Sequence, residues 1–335
     1  MRKSLLAILA GMMCSSLAFS QQYTIKFATI APKGTTPMNV MEEFDAAVRK
    51  ESGGRLGFKI YPGNIQGDEK QVLRKIKAGL LQSGGFTGVG MGEIAPKVRI
   101  LDSPFLVRTY DEADDLYKTF NDELAKAFED GGYVLLGWTE LGFVYVFTNT
   151  LVQKPDDLKG LKMWTWEGDP IAETAFRVLG LSPIPLSFVD VRMSLQTGLI
   201  NAFYATPYQS LALQWFTQVK YMVDAPLTDA AGAVLVSKKY FDALPADLQE
   251  ILRRNGKIYM AKLTQLTRQD NMNAMAELKK QGIILTTATE KDLQQYVQVG
   301  DKVRRMLVGR MYTQDFLDRV GNELIRYRKA EKTAK

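Results

Sequence analysis

The 335-residue sequence contains no histidine and a single cysteine, Cys14. Without histidine, serine–histidine and cysteine–histidine catalytic triads, most zinc sites and the usual general base near neutral pH are excluded. We expect Cys14 to leave with a leader segment, so that the remaining chain has no disulfide, thiol nucleophile or cysteine-bound metal. The composition therefore argues against an enzyme and predicts neither a cofactor nor a metal site.

Long apolar runs are missing after the first twenty residues. Arg2 and Lys3 precede an apolar run at 5–13, and residues 18–20 (Ala-Phe-Ser) fit a small-residue cleavage site. We therefore predict a cleaved signal peptide over residues 1–20 and a periplasmic protein. A lipoprotein site at Cys14 is the alternative, but the methionine before it replaces the small residue that such a site needs.

Excess charge of one sign is small, because 43 basic and 37 acidic residues leave a net charge of +6. The charges are dispersed except for a basic cluster near the C-terminus, and we predict a basic tail over residues 329–335. Dispersed charge and a short tail are typical of solvated surfaces, so we expect no nucleic-acid partner.

Strand and helix patterns alternate along the chain. Tyr23–Ala28 and Leu56–Tyr61 predict strands, and each is followed by a helical pattern, which favours an α/β fold with mainly parallel strands. A much longer helical pattern runs from Pro245 to about Gln281, roughly 50 Å at 1.5 Å per residue. Such a helix would bridge two lobes or bend at Gly256.

Five glycines lie within residues 84–92. The stretch has neither a GK[ST] ending nor a GxGxxG pattern in the right frame, which argues against a phosphate-binding loop. We expect a strand-to-loop passage in which the backbone approaches a ligand closely.

Seven segments in this order resemble the substrate-binding proteins of tripartite ATP-independent periplasmic (TRAP) transporters, the DctP-like family. The most specific are the DLKGLK stretch, the LGLSPIP stretch and the SLQTGLINAF stretch. The segments are IKFATIAPKGT (25–35), ESGGRLGFKIYP (51–62), LDSPFLV (101–107), KPDDLKGLKMW (154–164), LGLSPIPLSFVDVRMSLQTGLINAF (179–203), SKKYFDALPADLQEIL (237–252) and LKKQGIIL (278–285).

The resemblance implies an α/β clamshell of two lobes, of the periplasmic-binding-protein type, with a long interlobe helix. Lobe I would comprise residues 21–141 plus 231–269, and lobe II residues 142–230 plus 270–328. A monomeric receptor of this kind captures a small molecule between its lobes and delivers it to TRAP membrane subunits.

Two arginines that typical members use to bind a ligand carboxylate are absent. The first follows the GLK stretch by two positions, where this sequence has Trp164, and the second follows a Gly-Phe pair, where it has Val144. An indole has one N–H donor, no charge and a large apolar face. Lys33, Lys162 and Arg192 are the cations we consider as replacements.

The missing arginines predict an aromatic, largely apolar ligand site. Trp164, Phe188 and Tyr204 would pack on the ligand, while threonine hydroxyls would orient it. The predicted ligand contacts are Trp164, Trp166, Phe188, Tyr204, Thr206, Val144, Thr35, Thr87 and Phe203.

Four other interpretations stay open. The ligand could be a carboxylate held by a relocated cation, or the receptor could work with a tetratricopeptide-repeat (TPR) periplasmic protein. Trp164, Trp166 and Tyr204 could form a cage for a quaternary ammonium group. Glu167 and Asp169 could serve as the carboxylate pair of a hydrolase.

Overall fold

The computed structural model describes residues 23–334. The predicted signal peptide at 1–20 and the predicted mature start at Gln21 lie outside these residues. Ten strands are described: β1 (Tyr23–Ala28), β2 (Leu56–Tyr61), β3 (Ser83–Thr87), β4 (Tyr133–Thr148), β5 (Trp164–Trp166), β6 (Ile184–Leu186), β7 (Ala202–Ala205), β8 (Tyr221–Val223), β9 (Thr228–Ser237) and β10 (Ile284–Thr286).

Eleven α-helices connect and cover these strands within the same residues. They are α1 (Thr36–Glu51), α2 (Glu69–Lys77), α3 (Gly88–Ile94), α4 (Tyr110–Asp130), α5 (Pro170–Val178), α6 (Val191–Gln196), α7 (Pro207–Ala212), α8 (Lys238–Asp242), α9 (Ala246–Lys280), α10 (Glu290–Met306) and α11 (Gln314–Ala334).

One eight-stranded sheet runs through both lobes, in the order β10-β8-β4-β9-β3-β1-β2, with β7 also paired to β4. The β1–β2 and β1–β3 pairs are parallel, whereas β9 lies antiparallel between β3 and β4. Residues 133–144 of β4 pair with β9, and its last four residues, 145–148, pair with β7 and β8 in lobe II. The predicted α/β two-lobe fold is confirmed, and β4 carries the chain from one lobe to the other.

Strand β4 replaces two separate strands that the sequence pattern predicts at 134–138 and 143–148. The chain between them keeps pairing with β9 through two register shifts, one between Leu135 and Gly137 and one between Glu140 and Gly142. Because a bulge inserts an extra residue without ending the ladder, alternation is broken while the strand continues.

Helix α9 is continuous over 35 residues and packs on α1 and β4 in lobe I and on α7 in lobe II. The helix is not interrupted at Gly256. At that position a Cβ atom would lie 2.6 Å from the carbonyl oxygen of Leu136, so glycine allows the helix to lie directly on β4.

The C-terminal helix packs on lobe I, where the predicted boundary placed residues up to 328 in lobe II. Phe316, Val320 and Leu324 of α11 join the lobe I core around Phe120 and Leu124 of α4. In the predicted basic tail at 329–335, residues 329–334 are the last part of α11, which continues to Ala334. The last helix therefore returns to lobe I after α10 has packed on α5 in lobe II.

Candidate ligand-binding site

Two neighbouring cavities lie between the lobes, and Thr87, Leu141 and Gln209 line both of them. We name the first the threonine cavity; it has a volume of about 150 Å³ and is lined by Thr35, Thr206 and other residues of β1, α1, α7 and α9. We name the second the tryptophan cavity; it has a volume of about 160 Å³ and is lined by Trp164, Trp166, Tyr204 and residues of α5. For comparison, an apolar cavity of about 150 Å³ holds benzene.

Trp164 is 2 % exposed and forms part of the tryptophan cavity wall. Its ring stacks on Tyr204 at a centroid distance of 4.9 Å, and its indole nitrogen Nε1 donates to the carbonyl oxygen of Leu186 at 3.2 Å. Trp215 meets it edge to face at 5.5 Å. The single N–H donor of Trp164 is thus used inside lobe II, which leaves apolar surface for the cavity.

Trp166 and Phe188 form a second aromatic pair, with centroids 5.2 Å apart. Trp166 lines the tryptophan cavity and Phe188 the threonine cavity. The Trp166 Nε1 atom lies 3.4 Å from a carboxylate oxygen of Asp68, the N-cap of α2, so this indole reaches across to lobe I.

Val144 lines the tryptophan cavity, but Phe203 lines neither cavity. The Phe203 ring is fully buried, stacks on Phe147 at 4.9 Å and belongs to the core of lobe II. Alternation along β7 explains the difference, because Phe203 and Tyr204 point to opposite faces of the sheet.

The three predicted threonine hydroxyls line the threonine cavity but have partners within the protein. Thr35 Oγ1 donates to the Pro32 carbonyl at 2.7 Å, and Thr87 Oγ1 donates to Glu69 Oε2 at 3.0 Å. Thr206 Oγ1 accepts from the Gln209 backbone N–H at 3.1 Å as the N-cap of α7. Each hydroxyl therefore stabilises local structure through a partner within the protein.

Sequence reasoning missed Arg99, which lies in a 3₁₀ turn of lobe I and is the one cation among the described residues of the tryptophan cavity wall. This arginine is 4 % exposed. Its Nε donates to Asp102 Oδ2 at 2.9 Å, and its Nη2 donates to Asp169 Oδ1 at 3.0 Å. Asp102 belongs to the same lobe, whereas Asp169 is the N-cap of α5 in lobe II. The guanidinium therefore joins the two lobes.

Burial and charge act against each other in this group. Burial alone would lower the pKa of the Arg99 guanidinium, but the Asp169 and Asp102 carboxylates outweigh it and raise that pKa. Burial raises the pKa of Asp102 to about 6 despite the neighbouring Arg99. Asp102 also accepts the backbone N–H of Ala231 at 2.8 Å. The group is held by four protein hydrogen bonds, including the one from Ile171 N–H to Asp169 at 3.0 Å.

The glycine-rich stretch 84–92 forms the end of β3 and then α3, rather than the loop that we expected. The backbone N–H groups of Thr87 and Gly90 both donate to the buried Glu69 carboxylate, at 2.7 Å each. A Cβ at Gly90 would lie 2.6 Å from Glu69 Oε2, which explains the glycine. Burial raises the pKa of Glu69 to about 7.

The cations considered from the sequence lie outside the cavities. Lys33 and Arg192 are exposed, with Arg192 bound to Gln214, and the exposed Lys162 donates to the Gly198 carbonyl. Glu167 is also exposed, and Asp169 binds Arg99. Within residues 23–334, no group of three or more histidine, cysteine or acidic side chains is placed to hold a metal ion.

A family model described as bacterial extracellular solute-binding protein, family 7, matches residues 27–310. The chain belongs to this family.

Three similar proteins show how broad the likeness is. The 2,3-diketo-L-gulonate-binding periplasmic protein YiaO of Escherichia coli is 25 % identical over 306 residues, covering 90 % of this chain and 92 % of that protein. The C4-dicarboxylate-binding periplasmic protein DctP of Rhodobacter capsulatus is 25 % identical over 295 residues, covering 84 % and 86 %. The structure of a TRAP periplasmic solute-binding protein from Desulfovibrio salexigens with bound orotic acid superposes with a TM-score of 0.84 at 21 % identity, covering 91 % and 99 %.

The resemblance to TRAP solute-binding proteins is therefore confirmed. The chain is a TRAP-type solute-binding receptor for a small molecule, not an enzyme. Members of its family are periplasmic proteins that work with TRAP membrane subunits. Among the helices of residues 23–334, none combines the length and apolarity required to cross a bilayer.

Proposed function

We propose that this receptor binds a small, uncharged and largely apolar molecule between its lobes, with the Trp164–Tyr204 stack forming one wall of the site. The observation that carries the proposal is the charge of the cavity lining. Among the described residues that line the tryptophan cavity, Arg99 is the one cation, and Asp102 and Asp169 already bind it. In the threonine cavity the charged lining residue is Glu140, which pairs with Arg268.

An ionised ligand would face an unfavourable field in such a site. The Arg99 guanidinium beside the tryptophan cavity already binds two carboxylates, and enclosing a further carboxylate without a cation of its own costs several kcal/mol. The bound acids named for the relatives therefore do not transfer to this chain. A quaternary ammonium cage would need open aromatic faces, whereas Trp164 and Tyr204 stack on each other.

The volume of the cavities limits the size of the ligand. Volumes of about 150 and 160 Å³ suit a molecule of roughly six to ten non-hydrogen atoms, by comparison with a benzene-sized cavity of similar volume. Thr87, Leu141 and Gln209 line both cavities, so a longer ligand would pass along these residues.

A tryptophan fluorescence titration tests the proposal. Neutral aromatic, prenyl and acyl amide compounds should quench the emission at micromolar concentration, whereas succinate and sialic acid should not. Trp164→Phe should reduce the signal change. Trp138→Phe is the matched control, because Trp138 binds Asn121 at the distant α4–β4 face. Tight succinate or sialic acid binding would refute the proposal.

The transport partners need a separate experiment. We expect a monomer, exported by a cleaved signal peptide, that docks on TRAP membrane subunits. Affinity capture from a periplasmic extract followed by mass spectrometry distinguishes this arrangement from a TPR periplasmic partner. Recovery of a TPR protein at stoichiometric yield would favour the second arrangement without changing the proposed ligand class.

A further inference from the structure

The buried ion pair between Arg99 and Asp169 joins residues of different lobes. Arg99 lies in the turn before the LDSPFLV segment of lobe I, and Asp169 begins α5 of lobe II. Their side chains are 4 % and 9 % exposed, and the Nη2–Oδ1 distance is 3.0 Å. Both residues line the tryptophan cavity. A carboxylate of one lobe thus binds a cavity-wall guanidinium of the other.

We propose that Asp169 is a specificity-determining residue that occupies Arg99 as an internal carboxylate, so that the receptor closes without an acidic ligand and rejects acids. A guanidinium matches carboxylate geometry and stays charged when desolvated, which makes Arg99 a latent acid-binding group. The Asp169 carboxylate takes the position that a ligand carboxylate would need. This inference rests on the proposed function only in placing the ligand in the same cavity.

Contacts within lobe II hold the Asp169 carboxylate in place without a ligand. Its Oδ1 atom also accepts the Ile171 backbone N–H at 3.0 Å and so caps α5. The cap fixes the carboxylate at a helix N-terminus, where negative charge is stabilised. Asp102 binds the other side of Arg99 from within lobe I. Lobe closure therefore brings a preformed anion to a preformed cation.

The charge balance gives a direct prediction for Asp169→Asn. Asparagine is also a good N-cap, so α5 should keep its first turn while the charge is lost. Arg99 would keep Asp102 but lose its interlobe partner. A ligand carboxylate would then restore the charge that Asp169 supplies in the wild-type protein.

Calorimetric titration with benzoate tests this inference, with benzamide as the neutral comparison. Asp169→Asn should bind benzoate at least tenfold more tightly than the wild-type protein, and adding Arg99→Gln should abolish that gain. Asp156→Asn is the matched control, because Asp156 is an exposed lobe II carboxylate paired with Lys159. If Asp169→Asn does not fold, Asp169→Ser provides the same cap without the charge.

Small-angle X-ray scattering of the ligand-free proteins provides a second test of the inference. Asp169→Asn should show a larger radius of gyration than the wild-type protein, because the interlobe ion pair is lost, and benzoate should reduce it. A folded variant with no gain in benzoate affinity overturns the inference even if the wild-type protein binds neutral ligands. A gain in the variant supports it even if the wild-type protein binds none of them, in which case only the proposed function fails.

Discussion

Arg99 and Arg268 each bind two carboxylates, but the partners of the two arginines are distributed differently between the lobes. Arg268 of α9 binds Glu140 of β4, with Nη2–Oε2 at 2.6 Å, and Asp114 of α4, with Nη2–Oδ1 at 2.6 Å. These partners belong to lobe I and to the strand that leaves it. Arg99, in contrast, holds one partner in each lobe. The same chemistry therefore stabilises one lobe in the first group and joins two lobes in the second.

Replacing Arg99 and replacing Arg268 should therefore differ in how far water reaches the carboxylates that remain. Separation of the lobes would let water reach Asp169 once Arg99 is gone. Glu140 and Asp229 are both buried beside Arg268, and burial together with Glu140 raises the pKa of Asp229. The Glu140 side chain is 1 % exposed although it lines the threonine cavity, so its charge would stay largely enclosed after Arg268 is lost.

The largest effect is expected for Arg268→Gln. Removing one partner of a buried ion pair typically costs about 3–5 kcal/mol, because the remaining charge stays buried. Urea unfolding should show a loss of that size. A loss below that of the Arg99→Gln variant would contradict the distinction between the two groups.

Glu69 is a buried carboxylate of a different kind, because its hydrogen bonds come from Thr87 and Gly90 rather than from an arginine. Its folded pKa of about 7 lies above the ordinary value of 4.5, so the folded state holds this proton more tightly than the unfolded state. The resulting stability is fully present below pH 4.5 and is lost as the pH rises through about 7. The loss is on the order of 3 kcal/mol.

Urea unfolding of the wild-type protein and Glu69→Gln at several pH values between 4.5 and 8 measures this contribution. The wild-type protein should lose more stability over that range than the variant does. Glu93→Gln, which alters a more exposed carboxylate paired with Lys70, is the control and should leave the pH slope unchanged. Equal slopes for the wild-type protein and Glu69→Gln would show that Glu69 is already ionised at low pH.

Arg99→Gln should have a smaller effect on unfolding than Arg268→Gln, about 1–3 kcal/mol, in the range for leaving hydrogen-bonded groups unsatisfied. The scattering-derived radius of gyration should increase at the same time, since opening the lobes hydrates Asp169. An unchanged radius together with a loss as large as that of Arg268→Gln would place Arg99 in a purely structural role.

The smallest effect is expected for Arg319→Gln. Arg319 binds Glu123 on the exposed α4–α11 surface, with an Nη1–Oε2 distance of 2.8 Å and a side chain that is 44 % exposed. Exposed ion pairs typically contribute less than about 1 kcal/mol. Thermal unfolding at low and high salt should show a small, salt-sensitive difference. A loss comparable to that of Arg99→Gln would mean that burial does not separate these arginines.

Much of the fold could be predicted from local sequence patterns. The long helical pattern from Pro245 to about Gln281 corresponds to Ala246–Lys280, and the pattern at Leu56–Tyr61 gives β2 with the same bounds. These elements have uninterrupted periodicity. Predictions differed where the backbone is irregular, as at the β4 bulges and at α3, whose glycines lie in close contact with the side chains of Glu69, Arg99 and Asp102.

The charged part of the site could not be predicted in this way. Arg99 and Asp169 are 70 positions apart, and their contact exists only when lobe I meets lobe II. The available local signals were the i,i+3 spacing of Arg99 and Asp102 and the Asp-Pro start of α5, both of which occur on ordinary surfaces. Strand alternation is a local signal of a different kind, because it separates Tyr204, which lines the tryptophan cavity, from Phe203, which does not.

Identifying the molecule that the receptor carries distinguishes a neutral, apolar ligand from an acidic one. Native mass spectrometry of freshly purified protein, followed by accurate-mass analysis of the released ligand, gives both its size and its functional groups. We expect an uncharged, largely apolar molecule small enough for the interlobe cavities. Release of a carboxylic acid whose binding is abolished by Arg99→Gln would contradict it.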